Sequence, residues 1–290
     1  MTSSTMVFWH SSIGGPQAAG IALTDGGHIR KHKGWGRVPE AIPDTILKHL
    51  ESEYNGTPFQ PRMGIGHVRY ATAGASDLRS AQPHYIEPSS GRIMFCSNGD
   101  VANYQELKKL LGENGVEVNT ENDGELLLKL IDFYRVSQGL SLVEAVKKMM
   151  SMVRGTYSAA LMTRSKLIVF RDPLGNRPYS WGRLGATFIY ASETCVLDIL
   201  GADCMGDVEP GQIIEHDLVT GKIEKHQTPV TRRAHCMFEL IYFSRPDSIV
   251  FGEQVGTVRH RLGRLLARRH PVEAEFVSAV PDSAISPPWG

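Results

Sequence analysis

The chain has 290 residues, with 31 Lys+Arg against 31 Asp+Glu, so its formal charge is zero. That balance excludes the basic field of a general nucleic-acid binder and the acidic excess of a disordered chain. Four scattered cysteines, Cys96, Cys195, Cys204 and Cys236, lack C-x-x-C spacing, which excludes a zinc knuckle or thioredoxin motif and fits a reducing, cytoplasmic setting.

The opening "MTSSTMVFWHSSIGG" has neither the basic start nor the apolar run of a signal peptide. No segment is long enough to cross a bilayer, so no membrane partner is expected. Strand-like runs rich in branched and aromatic residues follow at Ile21–Leu23, Met63–Val68, Ile93–Cys96, Ser158–Met162, Leu167–Phe170 and Phe188–Ala191. Helical periodicity covers Tyr104–Leu111, Glu125–Tyr134 and Ser141–Val153, the last opened by a capping box, Ser141 to Glu144. Strands, then helices, then strands, without strict alternation, predict a layered α+β fold rather than a doubly wound sheet. Near the end, "VRHRLGRLLARRH" reads as an amphipathic surface helix, and "AEFVSAVPDS" as a buried strand and turn.

Candidate chemistry lies in the middle third. "GIGHVRYATAG" ends a strand on Arg69, which suits a bidentate carboxylate clamp or an ordinary surface ion pair. "GRIMFCSNGDVANYQELKKLL" stops an apolar run at Asn98-Gly99. The pair is a turn, where glycine accepts positive φ, or a corner in which an amide side chain and a backbone N–H face a developing oxyanion. Asp123 in "NTENDGELLLKL" is a helix N-cap or a carboxylate for an ammonium group. "VFRDPLGNRPYSWG" carries turn chemistry and reads as a structural hairpin joining two strands. Arginine, aspartate and the Asn/Gly corner together suit an α-amino acid with a reactive side-chain carbonyl. Glutamine fits, and hydrolysing its amide would need a nucleophile close to Asn98 and Gly99.

In order and spacing, "GIGHVRYATAG", "SNGDVANYQELKKLL", "NDGELLLKLI", "RDPLGNRPY", "YASETCVLDILGA", "VEPGQIIE" and "FELIYFSRPDS" resemble the amidophosphoribosyltransferase family, from about Ala18 to Ser286. "YFSRPDS" favours it over other class II glutamine amidotransferases. The resemblance implies a four-layer α-β-β-α sandwich of the N-terminal-nucleophile hydrolase type. It implies three parts: a divergent segment 1–17, an amidotransferase domain 18–240, and, in 241–290, a connecting helix and the first strand of a phosphoribosyltransferase-like α/β domain. By the same resemblance Arg69 holds the glutamine α-carboxylate with Thr72 nearby, Asp123 takes the α-ammonium, and Asn98 and Gly99 form the oxyanion hole. The implied reaction makes 5-phosphoribosylamine from glutamine and phosphoribosyl pyrophosphate (PRPP), opening de novo purine synthesis, in a full-length homo-oligomer.

Two departures from the family shape the expectation. Its N-terminal cysteine nucleophile has no counterpart before Cys96, and "SSIGGPQ" stands where the family reads "LQHRGQ". Thr2 would be exposed by removal of Met1, but its surroundings do not resemble a nucleophile strand and the interval before Ala18 is short for one. Cys96 reads as a buried structural residue without the free amine such a mechanism uses. No PRPP loop is found. Cys236 matches one ligand of the 4Fe-4S cluster in some members, but without its co-ligands this chain is expected to hold no cluster and no Mg2+. The reading is therefore a chain truncated at both ends and inactive alone. Its alternative is a catalytically silent glutamine-binding or subunit-interaction module.

Overall fold

A computed structural model describes residues 5–9 (backbone only), 18–53, 57–69, 77–89, 91–230 and 232–279. One sheet has seven strands: β1 (Thr5–Trp9), β2 (Ala18–Thr24), β3 (Ile29–Trp35), β4 (Met63–Arg69), β9 (Ser180–Leu184), β10 (Thr187–Ala191) and β11 (Asp203–Asp207). Their order is β11-β9-β10-β1-β4-β2-β3. The other has six, β5 (His84–Ile86), β6 (Ile93–Val101), β7 (Gly155–Met162), β8 (Lys166–Arg171), β12 (Gln212–Asp217) and β13 (Ile223–Gln227), in the order β13-β12-β8-β7-β6-β5.

Alternation along the strands decides which layer each residue enters. On β6, Met94 and Cys96, with Ala160, Leu167 and Val169 of the same sheet, face the seven-stranded sheet, where Ala22, Met63 and Ile65 meet them. Ile93, Phe95 and Val101 face the other way, onto α3 (Tyr104–Glu113), α4 (Asp123–Ser137) and α5 (Leu142–Met152). Across the seven-stranded sheet, Ala19 and Ile21 of β2 pack on α1 (Val38–Ala41) and α2 (Asp44–Glu51), while α6 (Thr194–Leu200) covers β9–β11. Helices, sheet, sheet and helices make the expected α-β-β-α sandwich. The capping box at Ser141 is present, with Glu144 N–H donating to Ser141 Oγ at 3.3 Å and Ser141 N–H to Glu144 Oε2 at 2.9 Å.

Four expectations are corrected. A strand does form before Ala18: β1, an apolar stretch in sequence, lies between β4 and β10, parallel to both. The run at Ile93 does not stop at Asn98-Gly99, because β6 continues to Val101 along β7. Asp172-Pro173 and Gly175-Asn176 are not a hairpin turn, since β8 and β9 belong to different sheets and the loop is a crossover. Residues 271–279 form no strand and are exposed, with no described strand beside them to take their backbone hydrogen bonds.

The last helix, α7 (Val255–Arg269), is held by Arg259, which donates to Leu240 O (2.9 Å) and Ser244 O (2.7 Å) of the preceding π-helical turn. Upstream of it, Glu193 accepts from Arg245 N (2.7 Å) and Ser248 Oγ (2.9 Å), joining this connector to the sandwich. On α7, Leu265 and Leu266 are 50% and 63% exposed.

Candidate active site

Strand β6 runs beside β7, and its pairing explains what Asn98 and Gly99 present. Gly99 stands opposite Tyr157. The Tyr157 carbonyl accepts from Asp172 N (2.8 Å), and its N–H donates to Asp172 Oδ2 (3.2 Å), so both point toward β8. Antiparallel alternation then directs the N–H groups of Ser97, Gly99 and Val101 away from β7, toward the open edge beyond β5. Ser97 N–H donates to Gln82 Oε1 (2.7 Å), and Val101 N–H to Asp123 Oδ2 (3.1 Å). Between them Gly99 N–H has no acceptor among the described residues. It is a directed donor at a half-exposed position.

Close approach, not positive φ, requires glycine there. Gly99 is not in the left-handed region, but a Cβ on it would lie 2.2 Å from Thr156 O and 2.7 Å from Tyr157 Cβ. Asn98 takes the sheet face of Cys96 and Met94, so its amide enters the space between the sheets.

Asp123 begins α4, but the N-cap is Asn122, whose Oδ1 accepts from Gly124 N at 2.8 Å. Asp123 is thereby free to point at β6. Burial, helped by Asp100, lifts its pKa to about 6 against the donation from Val101 N–H. Arg69 ends β4, half-buried, and its charge is felt by His67, Asp77 and His84. Thr72 and Thr2 lie outside the described residues.

Polar side chains that sequence reasoning passed over bring these pieces to one corner. Gln82 Nε2 donates to Ser97 O (2.9 Å) while its Oε1 accepts from Ser97 N, continuing with a side chain the ladder that β5 leaves. The backbone of Gln82 reaches β2 because residue 20 is glycine, where a Cβ would sit 2.2 Å from Gln82 O. His84, held neutral at a pKa of about 4 by burial and by Lys33, donates from Nε2 to Asn122 Oδ1 at 3.0 Å. His67 is likewise neutral, at about 3, chiefly through burial; its buried Nδ1 has no hydrogen-bond partner among the described residues. Lys33 donates to Ala81 O and is lowered to about 8 by burial and by Lys31. The available signal was the polar stretch Gln82-Pro83-His84 directly before an apolar strand, and Asn122 two residues ahead of Gly124.

Around the corner, Glu125 accepts from Thr120 N (2.7 Å), Thr120 Oγ1 (2.6 Å) and Asn119 N (3.0 Å), fixing the loop into α4. Burial raises its pKa, yet these donors outweigh it and leave the group lowered. The crossover after β8 is a brace: Asp172 accepts from Leu174 N (2.8 Å) and Asn176 N (3.2 Å) as well as Tyr157 N. Buried Arg171 donates to the carbonyls of Arg177, Val208 and Gly175 at 2.7–2.9 Å.

Cys96 is fully buried in the inter-sheet core, and burial raises its thiol well above the ordinary value. It is a packing residue rather than a thiolate. Cys236 is half-buried, and among the described residues no cluster of metal-ligating groups includes it.

Residues 67–198 match the family model described as a glutamine amidotransferase domain. An amidophosphoribosyltransferase of Archaeoglobus fulgidus is 38% identical over 275 residues, covering 94% of this chain and 57% of the relative. That of Bacillus subtilis is 37% identical over 273 residues, covering 94% and 55%. The solved B. subtilis glutamine PRPP amidotransferase in complex with ADP and GMP superposes with a TM-score of 0.80 at 35% identity, over 94% of this chain and 56% of that one. The chain thus spans a little over half the length of these relatives.

Proposed function

We propose, from the premise that this chain belongs with the amidophosphoribosyltransferases and carries their glutamine amidotransferase domain, that its corner at β4, β6 and α4 binds glutamine. Arg69 takes the α-carboxylate through paired N–H donors. The Asp123 carboxylate takes the α-ammonium. The side-chain carbonyl oxygen then lies toward Gly99 N–H and the Asn98 amide, donors fixed before any charge develops. The observation that carries this reading is the row of N–H groups along β6, in which Ser97 and Val101 are taken and Gly99 is open.

The amide chemistry needs a nucleophile at the carbonyl carbon. Cys96 does not supply one, since it is fully buried in the inter-sheet core and burial keeps its thiol from ionising. In a protein that supplies both a nucleophile and a PRPP-binding domain, the ammonia released here would form 5-phosphoribosylamine, the first step toward IMP. The four free thiols, two of them buried, suit the cytoplasm. A second role rests on the exposed leucines of α7. That face suits docking of a phosphoribosyltransferase-like domain or a second subunit, with magnesium and PRPP entering through that partner.

Titration calorimetry of the purified 290-residue chain with glutamine tests the site, with Arg69→Ala as control. Saturable binding lost in the variant supports it. Equal binding in both proteins overturns the assignment of Arg69, and no binding by a folded chain overturns the site.

A further inference from the structure

Strands β12 and β13 form the hairpin at one edge of the six-stranded sheet, away from the glutamine corner. Their register places Glu215 opposite Glu224, and His226 opposite Ile213, so all three polar residues share the face turned from the second sheet. His226 Nε2 lies 4.0 Å from Glu215 Oε2 and 3.8 Å from Glu224 Oε2, and the three atoms fall within 4.8 Å of one another. That nitrogen is buried and has no hydrogen-bond partner among the described residues. The opposite carboxylate oxygens are already occupied: Glu215 Oε1 holds Lys166 at 2.5 Å, and Glu224 Oε1 holds Lys222. Each carboxylate therefore turns one oxygen outward to a lysine and the other inward to the imidazole.

We propose that Glu215, Glu224 and His226 bind a divalent first-row cation of the zinc type. One imidazole and two carboxylates make three protein ligands, leaving a fourth position to water. Bonds of about 2.0–2.2 Å bring tetrahedral ligand atoms to roughly 3.5 Å apart, so the site closes by about 1 Å of side-chain rotation. The lysines serve as outer partners that fix each carboxylate, as hydrogen-bonded outer groups do around bound metals. Their charge is outweighed locally, because Asp217, 3.6 Å from Lys166, joins the two glutamates and leaves one net negative charge before the cation enters. The bound ion would clip the edge strand β13 to β12, beyond which the described residues add no further strand. This inference is independent of the glutamine site.

Cobalt(II) is the probe, since it substitutes for zinc and is paramagnetic. Titrated into the 290-residue chain, it is expected to broaden first the amide resonances of residues 213–216 and 223–227, at one equivalent, without thiolate absorption. His226→Gln and Glu224→Gln are each expected to weaken binding tenfold or more while circular dichroism stays unchanged. Zinc should raise the melting temperature of the parent chain and of neither variant. Broadening centred on Cys204 or Cys236, affinity unchanged in both variants, or no binding at millimolar cobalt would overturn the assignment.

Discussion

Gln82→Leu isolates the residue that ties the oxyanion corner together. Gln82 is 5% exposed, and its amide makes two bonds to one peptide, accepting from Ser97 N–H at 2.7 Å and donating to Ser97 O at 2.9 Å. Leucine fills nearly the same volume, so the packing loss is small and the change is one of polarity. It strips a buried N–H and a buried C=O at once. Each unpaired group costs about 1–3 kcal/mol, so the expected destabilisation is roughly 2–6 kcal/mol. Gln82→Glu, which still accepts from Ser97 N–H but buries a charge facing Ser97 O, should cost at least as much at neutral pH. Urea denaturation followed by fluorescence, with unchanged slope, measures both. A loss under about 0.5 kcal/mol for Gln82→Leu, the range of an ordinary surface change, would refute the claim that this side chain completes the ladder.

Gly99→Ala must displace β7, because the added Cβ meets Thr156 O and Tyr157 Cβ inside contact distance. A cost of about 1–3 kcal/mol in denaturant titration is expected, with loss of glutamine binding in calorimetry. Asp123 must be ionised to take an ammonium, and its pKa stands at about 6. Glutamine affinity should therefore be constant just above neutrality, while the ligand keeps its α-ammonium, and fall about tenfold per pH unit below 6, whereas Asp123→Asn should bind weakly with no such slope. Leu266→Ser on α7 should leave stability within about 0.5 kcal/mol, since the side chain is mostly exposed. It should reduce any concentration-dependent association seen by ultracentrifugation.

Much of this was legible in sequence because it rests on periodicity and on motif order. The apolar run Ile93–Cys96 reads as a strand and the periodicity of α4 as a helix, and the motifs single out Arg69, Asn98, Gly99 and Asp123 as candidates. What escaped depends on contacts distant along the chain. Whether Gly99 serves a turn or a close approach is decided by Tyr157, 58 positions later, which in turn is held by Asp172. Gln82 looks like a loop residue until Ser97 is beside it. β1 escaped because a five-residue strand paired on both sides with parallel neighbours need carry no alternation of its own. The crossover at Asp172 was misread because Asp-Pro and Gly-Asn mark a turn without saying which sheet the chain enters next.

The most direct test of the glutamine corner is the amide resonance of Gly99, followed by nitrogen-15 NMR as glutamine is added. The account expects a saturable shift of that N–H toward a hydrogen-bonded position, absent with Arg69→Ala and larger than the shift at Ser97, whose N–H is already taken. A Gly99 resonance that stays still while glutamine binds would contradict it.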